Sequence, residues 1–199
     1  MIIGTPQHIT SEIRKFCKQI TGNANSFYLK VEPAPESIKL ECFPNVDNFI
    51  VKNGGSVQYG WRIAEWSGVI MEAELHAVWR SSDGSYRDVT PFVENPILFL
   101  PDNARTYQGK QISNIRYALS NNLLVHEFIA VNNQIFEVTN QGYLAEKHGK
   151  ISIPAHLIRP LQSRSAELFL KIYKSTAKPN SPCVCGRGRK YKKCCFGKI

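Results

Sequence analysis

The chain has 199 residues, of which 43% are hydrophobic, enough for one medium-sized domain with a core of its own. No run approaches the roughly 20 apolar residues that span a bilayer, so no membrane-spanning helix is expected. The net charge is +9, but seven basic residues and no acidic ones fall between Lys178 and Ile199. The tail therefore carries all but two of the net positive charges, and the body is close to neutral.

The N-terminus, Met1-Ile-Ile-Gly-Thr-Pro6, has neither a basic n-region nor a long apolar h-region. It reads as no secretory signal, and the expected compartment is the cytoplasm, where thiols stay reduced. Thr10-Ser11-Glu12 opens a helix, in which Ile13, Phe16, Cys17 and Ile20 follow at amphipathic spacing and Gly22 ends the run. Cys17 lies on the apolar stripe and is expected in the core. Phe27 to Val31 and Ile38 to Glu41 read as extended segments, and Pro44 to Lys52 as a short helix stopped by Gly54-Gly55. Val57 to Ile63, Val69 to Arg80 and Tyr86 to Thr90 read as strands, with Ile97 to Leu100 a further apolar run. Gln111 to Asn121 is expected to be helical, residues 125–131 and 134–138 a hairpin turning at Asn132-Asn133, and Ala166 to Tyr173 a final helix. The fold class is α+β, an antiparallel sheet with flanking helices plus a small C-terminal zinc knuckle. The expected domains are a body over 1–174, a linker over 175–182 and the knuckle over 183–199.

Four of the six cysteines fall in the tail as Cys183-x-Cys185-x8-Cys194-Cys195. Four thiolates can close a tetrahedral zinc shell, and Gly186 and Gly188 allow the chain to turn back between the pairs. So short a segment cannot build a core, so bound Zn2+ must supply most of its folding energy. Disulfides are the alternative. The run resembles the SEC-C motif at the C-terminus of the bacterial preprotein-translocation motor ATPase. The resemblance covers about a tenth of the chain and implies zinc-ligand roles for Cys183, Cys185, Cys194 and Cys195. It also implies docking on a protein partner or the ribosome. Nucleic acid is a further expected partner for the basic tail.

In the body, Cys42 stands where an extended segment meets a helix, and the positive end of the helix dipole favours a thiolate there. Ser82-Asp83-Gly84 suits a three-residue hairpin loop closed by a left-handed glycine. That register pairs Ser81 with Ser85 and sets Val78 opposite Asp88, which makes Asp88 the diagonal neighbour of His76. A two-residue loop would send Asp88 to the opposite face. Cys42, His76 and Asp88 are thus the candidate nucleophile, base and orienting carboxylate. The order, a helix-borne thiol followed by histidine and aspartate on consecutive strands, resembles papain-like and transglutaminase-like thiol enzymes over roughly residues 40–92. Glu41 departs from the aromatic or small residue that precedes the cysteine in those families. Asn45, Asn48 and Gln58 are candidate oxyanion donors. Glu72 and Glu74 are expected on the face of His76, and Tyr59, Trp61, Trp66 and Trp79 either line a cleft or pack the sheet. His8, His126, His148 and His156 have less informative settings.

These readings predict a cysteine hydrolase or acyl-transfer enzyme (a peptidase, deamidase or amidase) recruited to its target by the zinc tail. A non-enzymatic protein-binding adapter is the rival, and nucleic-acid binding through the tail is the third reading.

Overall fold

A computed structural model describes residues 2–146, 152–185 and 187–197. In chain order the elements are α1 (Ser11–Thr21), β1 (Phe27–Leu29), α2 (Cys42–Asn53), β2 (Ser56–Trp66), β3 (Ile70–Arg80) and β4 (Tyr86–Arg87). Then follow β5 (Ile97–Pro101), β6 (Ile115–Ala118), α3 (Leu123–Thr139) and α4 (Ala155–Thr176). The strands form one six-stranded sheet in the order β1-β5-β2-β3-β4, and β6 also pairs with β3. Every strand pairing is antiparallel. No helix among the described residues is long and apolar enough to cross a membrane.

The long hairpin β2–β3 is the spine. Its eleven-residue register runs from Ser56 opposite Arg80 to Trp66 opposite Ile70. Because side chains alternate along a strand, Trp61, Ile63, Met71, Ala73 and Leu75 form one apolar face with Leu98 and Leu100 of β5. Ile13, Phe16 and Cys17 of α1 cover that face, and all three are buried. Thr10 caps α1 by accepting from the Ile13 amide, and Gly22, at φ 78°, closes it in the left-handed conformation. Burial pushes the Cys17 thiol pKa up, as suits a core cysteine.

Helices α3 and α4 pack together over the far end of the hairpin. Val125, Phe128 and Val131 meet Leu168, Ile172 and Tyr173 there, above Trp66, Val69 and Ile70. Two sequence expectations fail in this region. Residues 125–138 are helical throughout rather than a hairpin. Asn122 caps the helix, and Asn132 donates to the Phe128 carbonyl and to Ser165 of α4 instead of turning the chain. The β-branched content suggested strand, but the stripe Val125–Phe128–Val131 needs a helix to face α4. Within 111–121, Ile115–Ala118 is a strand, because it supplies the partner for Ile70–Ala73 on the outer edge of β3. Residues 38–41 are likewise a turn, not a strand, with Leu40 at φ 71°. The last helix is longer than its periodic core, running from Ala155 through Pro160 to Thr176.

Residues 175–182, read as a linker, comprise the end of α4 and a turn. In that turn Ser181 N–H donates to the Lys178 carbonyl and Lys178 N–H to Ser181 Oγ. The tail then packs against α4: Tyr173 Oη donates to the Pro182 carbonyl at 2.7 Å, and the Tyr173 and Tyr191 rings meet edge to face at 5.0 Å.

Candidate active site and candidate metal centre

The β3–β4 turn sets the first site. Ser81 N–H donates to Ser85 O at 2.9 Å, and Gly84 sits at φ 86°. Arg80 therefore pairs with Tyr86 and Trp79 with Arg87, the three-residue register. Asp88 follows at the next position and is fully buried. Its backbone bridges to Val31, and its carbonyl accepts from Glu32 N–H at 2.8 Å.

That placement brings Asp88 Oδ2 to 3.0 Å from His76 Nε2. Oδ1 accepts from the Thr90 amide at 2.9 Å, so the carboxylate is held at both oxygens. Cys42 is the other group that acts on the ring. Burial alone would lower the His76 pKa. The negative charges of Cys42 and Asp88, and hydrogen bonds to both, outweigh it and raise the value to about 10. The ring is thus a buried cation at neutral pH, held against the Asp88 carboxyl group.

Cys42 is the first residue of α2. Asn45, one turn on, fixes this end of the helix. Its Oδ1 accepts from Ile38 N–H at 2.9 Å, and its Nδ2 donates to the Ile38 carbonyl at 2.7 Å and to Thr90 Oγ1 at 3.3 Å. One amide side chain therefore ties the cysteine helix, the preceding turn and the segment after Asp88 together. With both of its donor hydrogens used, Asn45 is not an oxyanion donor. Gln58 is likewise committed, to the Tyr59 carbonyl and Asn103. Asn48 lines a different pocket with Ser37 and Lys52.

Cys42 and His76 line a cleft of about 280 Å³. Leu75 and His76, neighbours that point to opposite faces of β3, both reach it, so the cleft opens at the strand edge. That edge lies between Ala73, where pairing with β6 ends, and Trp79, where pairing with β4 begins. Leu40, Phe43, Phe92, Ile112 and Phe136 supply apolar walls. Glu74, also in the lining, is bound by Arg62 at 2.9 Å, and Glu72 by Arg116 at 3.2 Å and by Asn114. Of the two roles open to the four large aromatics, packing holds, and none of them lines the cleft. Trp61 is buried under α1 and donates to Asp102, Trp66 packs against Phe169, and Tyr59 and Trp79 pack with α2. His126 and His156 lie on α3 and α4, and His148 is outside the described residues. Phe136 and Ile112 were missed because they belong to the segments whose secondary structure was misread.

In the tail, all six cysteines of the chain being free, the sulfurs of Cys183, Cys185, Cys194 and Cys195 lie within 4.8 Å of one another. Cys185 and Cys194 are 3.2 Å apart, and Cys194 and Cys195 3.8 Å. A tetrahedral site with metal–sulfur bonds of about 2.3 Å has sulfur–sulfur edges of about 3.8 Å, so the donor set fits a metal ion. The Cys183 amide donates to Arg189 O, Pro182 bridges to Lys190, and Gly188 takes φ 67° at the turn between the cysteine pairs. The thiols compete for charge. The Arg187 backbone amide and the neighbouring sulfurs hold Cys185 down to about 6, while its bond to Cys185 and burial push Cys194 up to about 12. A dication resolves such competition by taking every ligand as thiolate. No curated protein and no solved structure matches this chain. Residues 180–197 match the SEC-C motif, so the chain ends in a SEC-C metal-binding module.

Proposed function

We propose that this protein is a cysteine-dependent hydrolase or acyl-transfer enzyme acting on a carboxamide or ester, with a zinc-binding knuckle as its recruiting element. One observation carries the reading: His76, paired with buried Asp88, and a helix-borne thiol line one open cleft. Cys42 Sγ attacks the substrate carbonyl carbon, and the developing oxyanion lies near the positive end of α2. His76 holds the proton taken from the thiol and delivers it to the leaving nitrogen or oxygen as the acyl bond breaks. It then takes a proton from the incoming water or amine that releases the acyl group, regenerating the thiol. Asp88 fixes the ring and stabilises its charged form. The pairing of a thiol with histidine and a carboxylate on successive strands is also what the resemblance to papain-like and transglutaminase-like enzymes implies.

The test is the alkylation of Cys42 by iodoacetamide as a function of pH, in zinc-loaded protein beside a His76→Ala variant. An activated thiolate labels well below the ordinary thiol range of ~8.5, and the variant loses that acid limb. Slow labelling with no acid limb, unchanged in the variant, rejects the enzyme reading. For the tail, Cys183, Cys185, Cys194 and Cys195 suit zinc, with its preference for four thiolates in a closed structural site. Bound zinc would hold the two cysteine pairs together. Arg187, Arg189, Lys190, Lys192 and Lys193 are all exposed around it, which favours an acidic protein surface or the ribosome as partner. The same basic rim supports the rival reading, a non-enzymatic adapter in which the knuckle makes the main contact. RNA or DNA binding would show a steep salt dependence.

A further inference from the structure

The turn before Cys42 is strained and fixed. Leu40 has φ 71°, the left-handed region, and is the only non-glycine residue described with positive φ. A branched side chain is disfavoured there, and such strain persists only where surrounding structure enforces it. The enforcement is visible: both backbone polar groups of Ile38 are captured by the Asn45 side chain, and Glu41 N–H donates to Ile38 O. The strain secures no burial, because Leu40 is 61% exposed. What it does is place Leu40 in the lining of the cleft, two residues before the candidate nucleophile. Phe43 and Phe92 stand in the same wall. Besides His76, the charged side chains of the cleft are Arg62 and Glu74, which neutralise each other, and the Arg62 guanidinium also lies over the Phe92 ring at 4.4 Å.

We infer that Leu40 is a substrate-binding residue, which with Phe43 and Phe92 recognises an uncharged apolar group next to the carbonyl attacked by Cys42. This rests on the cysteine-enzyme reading above and adds the substrate class: acyl donors bearing a hydrophobic side chain. The left-handed turn is what holds that contact at the mouth of the cleft.

The experiment compares iodoacetamide with N-benzyl iodoacetamide. Labelling of Cys42 in zinc-loaded protein is followed by peptide mass spectrometry, and each rate is divided by that for glutathione. The wild type should favour the benzyl reagent by roughly tenfold, the size of discrimination an apolar pocket supplies. Leu40→Gly and Leu40→Asn both tolerate positive φ, so neither should lower the melting temperature. In both, the preference should fall to about threefold or less, through a lower rate with the benzyl reagent. A preference that survives in both variants, or is missing from the wild type, overturns the assignment of Leu40 but leaves the reactive cysteine standing. Failure of Cys42 to react with either reagent overturns the enzyme reading and this inference with it.

Discussion

His76→Ala exposes the energetics of the buried pair. In the folded protein Asp88 has no solvent contact, and its Oδ2 has His76 as its partner. Removing the ring leaves a buried carboxylate with only the Thr90 amide to compensate it. Breaking a buried pair in this way costs about 3–5 kcal/mol. For a chain of this length that is a fall of about 6–20 °C in melting temperature. The decisive measurement is the double variant. Asp88→Asn can still accept from the Thr90 amide and carries no charge, so adding it to His76→Ala should recover about 1–2 kcal/mol. Urea unfolding at neutral pH, followed by tryptophan fluorescence, reads all four proteins. A loss below about 1 kcal/mol for His76→Ala, with Asp88→Asn simply adding to it, would refute a buried, mutually dependent pair.

Titration of the His76 ring by NMR should show it protonated through neutral pH and deprotonating near pH 10, with a lower midpoint in Cys42→Ala. Because the folded pKa is raised, the linked stabilisation is complete below about pH 6.5 and is lost as pH climbs through about 10. Gly60 pairs with His76, and a Cβ there would sit 2.4 Å from the Leu100 carbonyl and 2.5 Å from the Phe99 ring. Gly60→Ala should therefore cost about 2–3 kcal/mol in urea unfolding by pushing β5 off the sheet. Metal analysis should find one ion per chain, lost in Cys194→Ser. Chelation should lower the melting temperature and change the near-ultraviolet signal of Tyr173 and Tyr191, and added zinc should reverse both.

The sequence was most informative where local geometry and side-chain chemistry coincide. The loop Ser82-Asp83-Gly84 dictates its own register through one left-handed glycine, and that register brings His76 and Asp88 together from sequence alone. The cysteine spacing of the tail is similarly self-contained. The misread segments are those whose structure is settled by distant partners. Ile115–Ala118 is a strand because Ile70–Ala73 offers an edge, and α3 is a helix because α4 offers an apolar groove. As Phe136 and Ile112 lie in those segments, two of the five apolar wall residues were invisible, whereas Cys42 and His76 were not. The Leu40 conformation had no signal at all, since a leucine carries none of the usual marks of a left-handed residue.

The docking of the knuckle on α4 has a mechanical meaning. Cys183 and Tyr191 are buried in the same cluster as Val131, Ile172 and Trp66, so the basic rim is mounted on the body like a fixed bracket. A tethered module searches a sphere and raises local concentration for targets in any orientation. A bracket instead sets a distance and a direction: under the recruiting role proposed above, a partner held at Arg189 or Lys192 would present only one stretch of its surface to the cleft, and selection would fall on shape and span as much as on affinity.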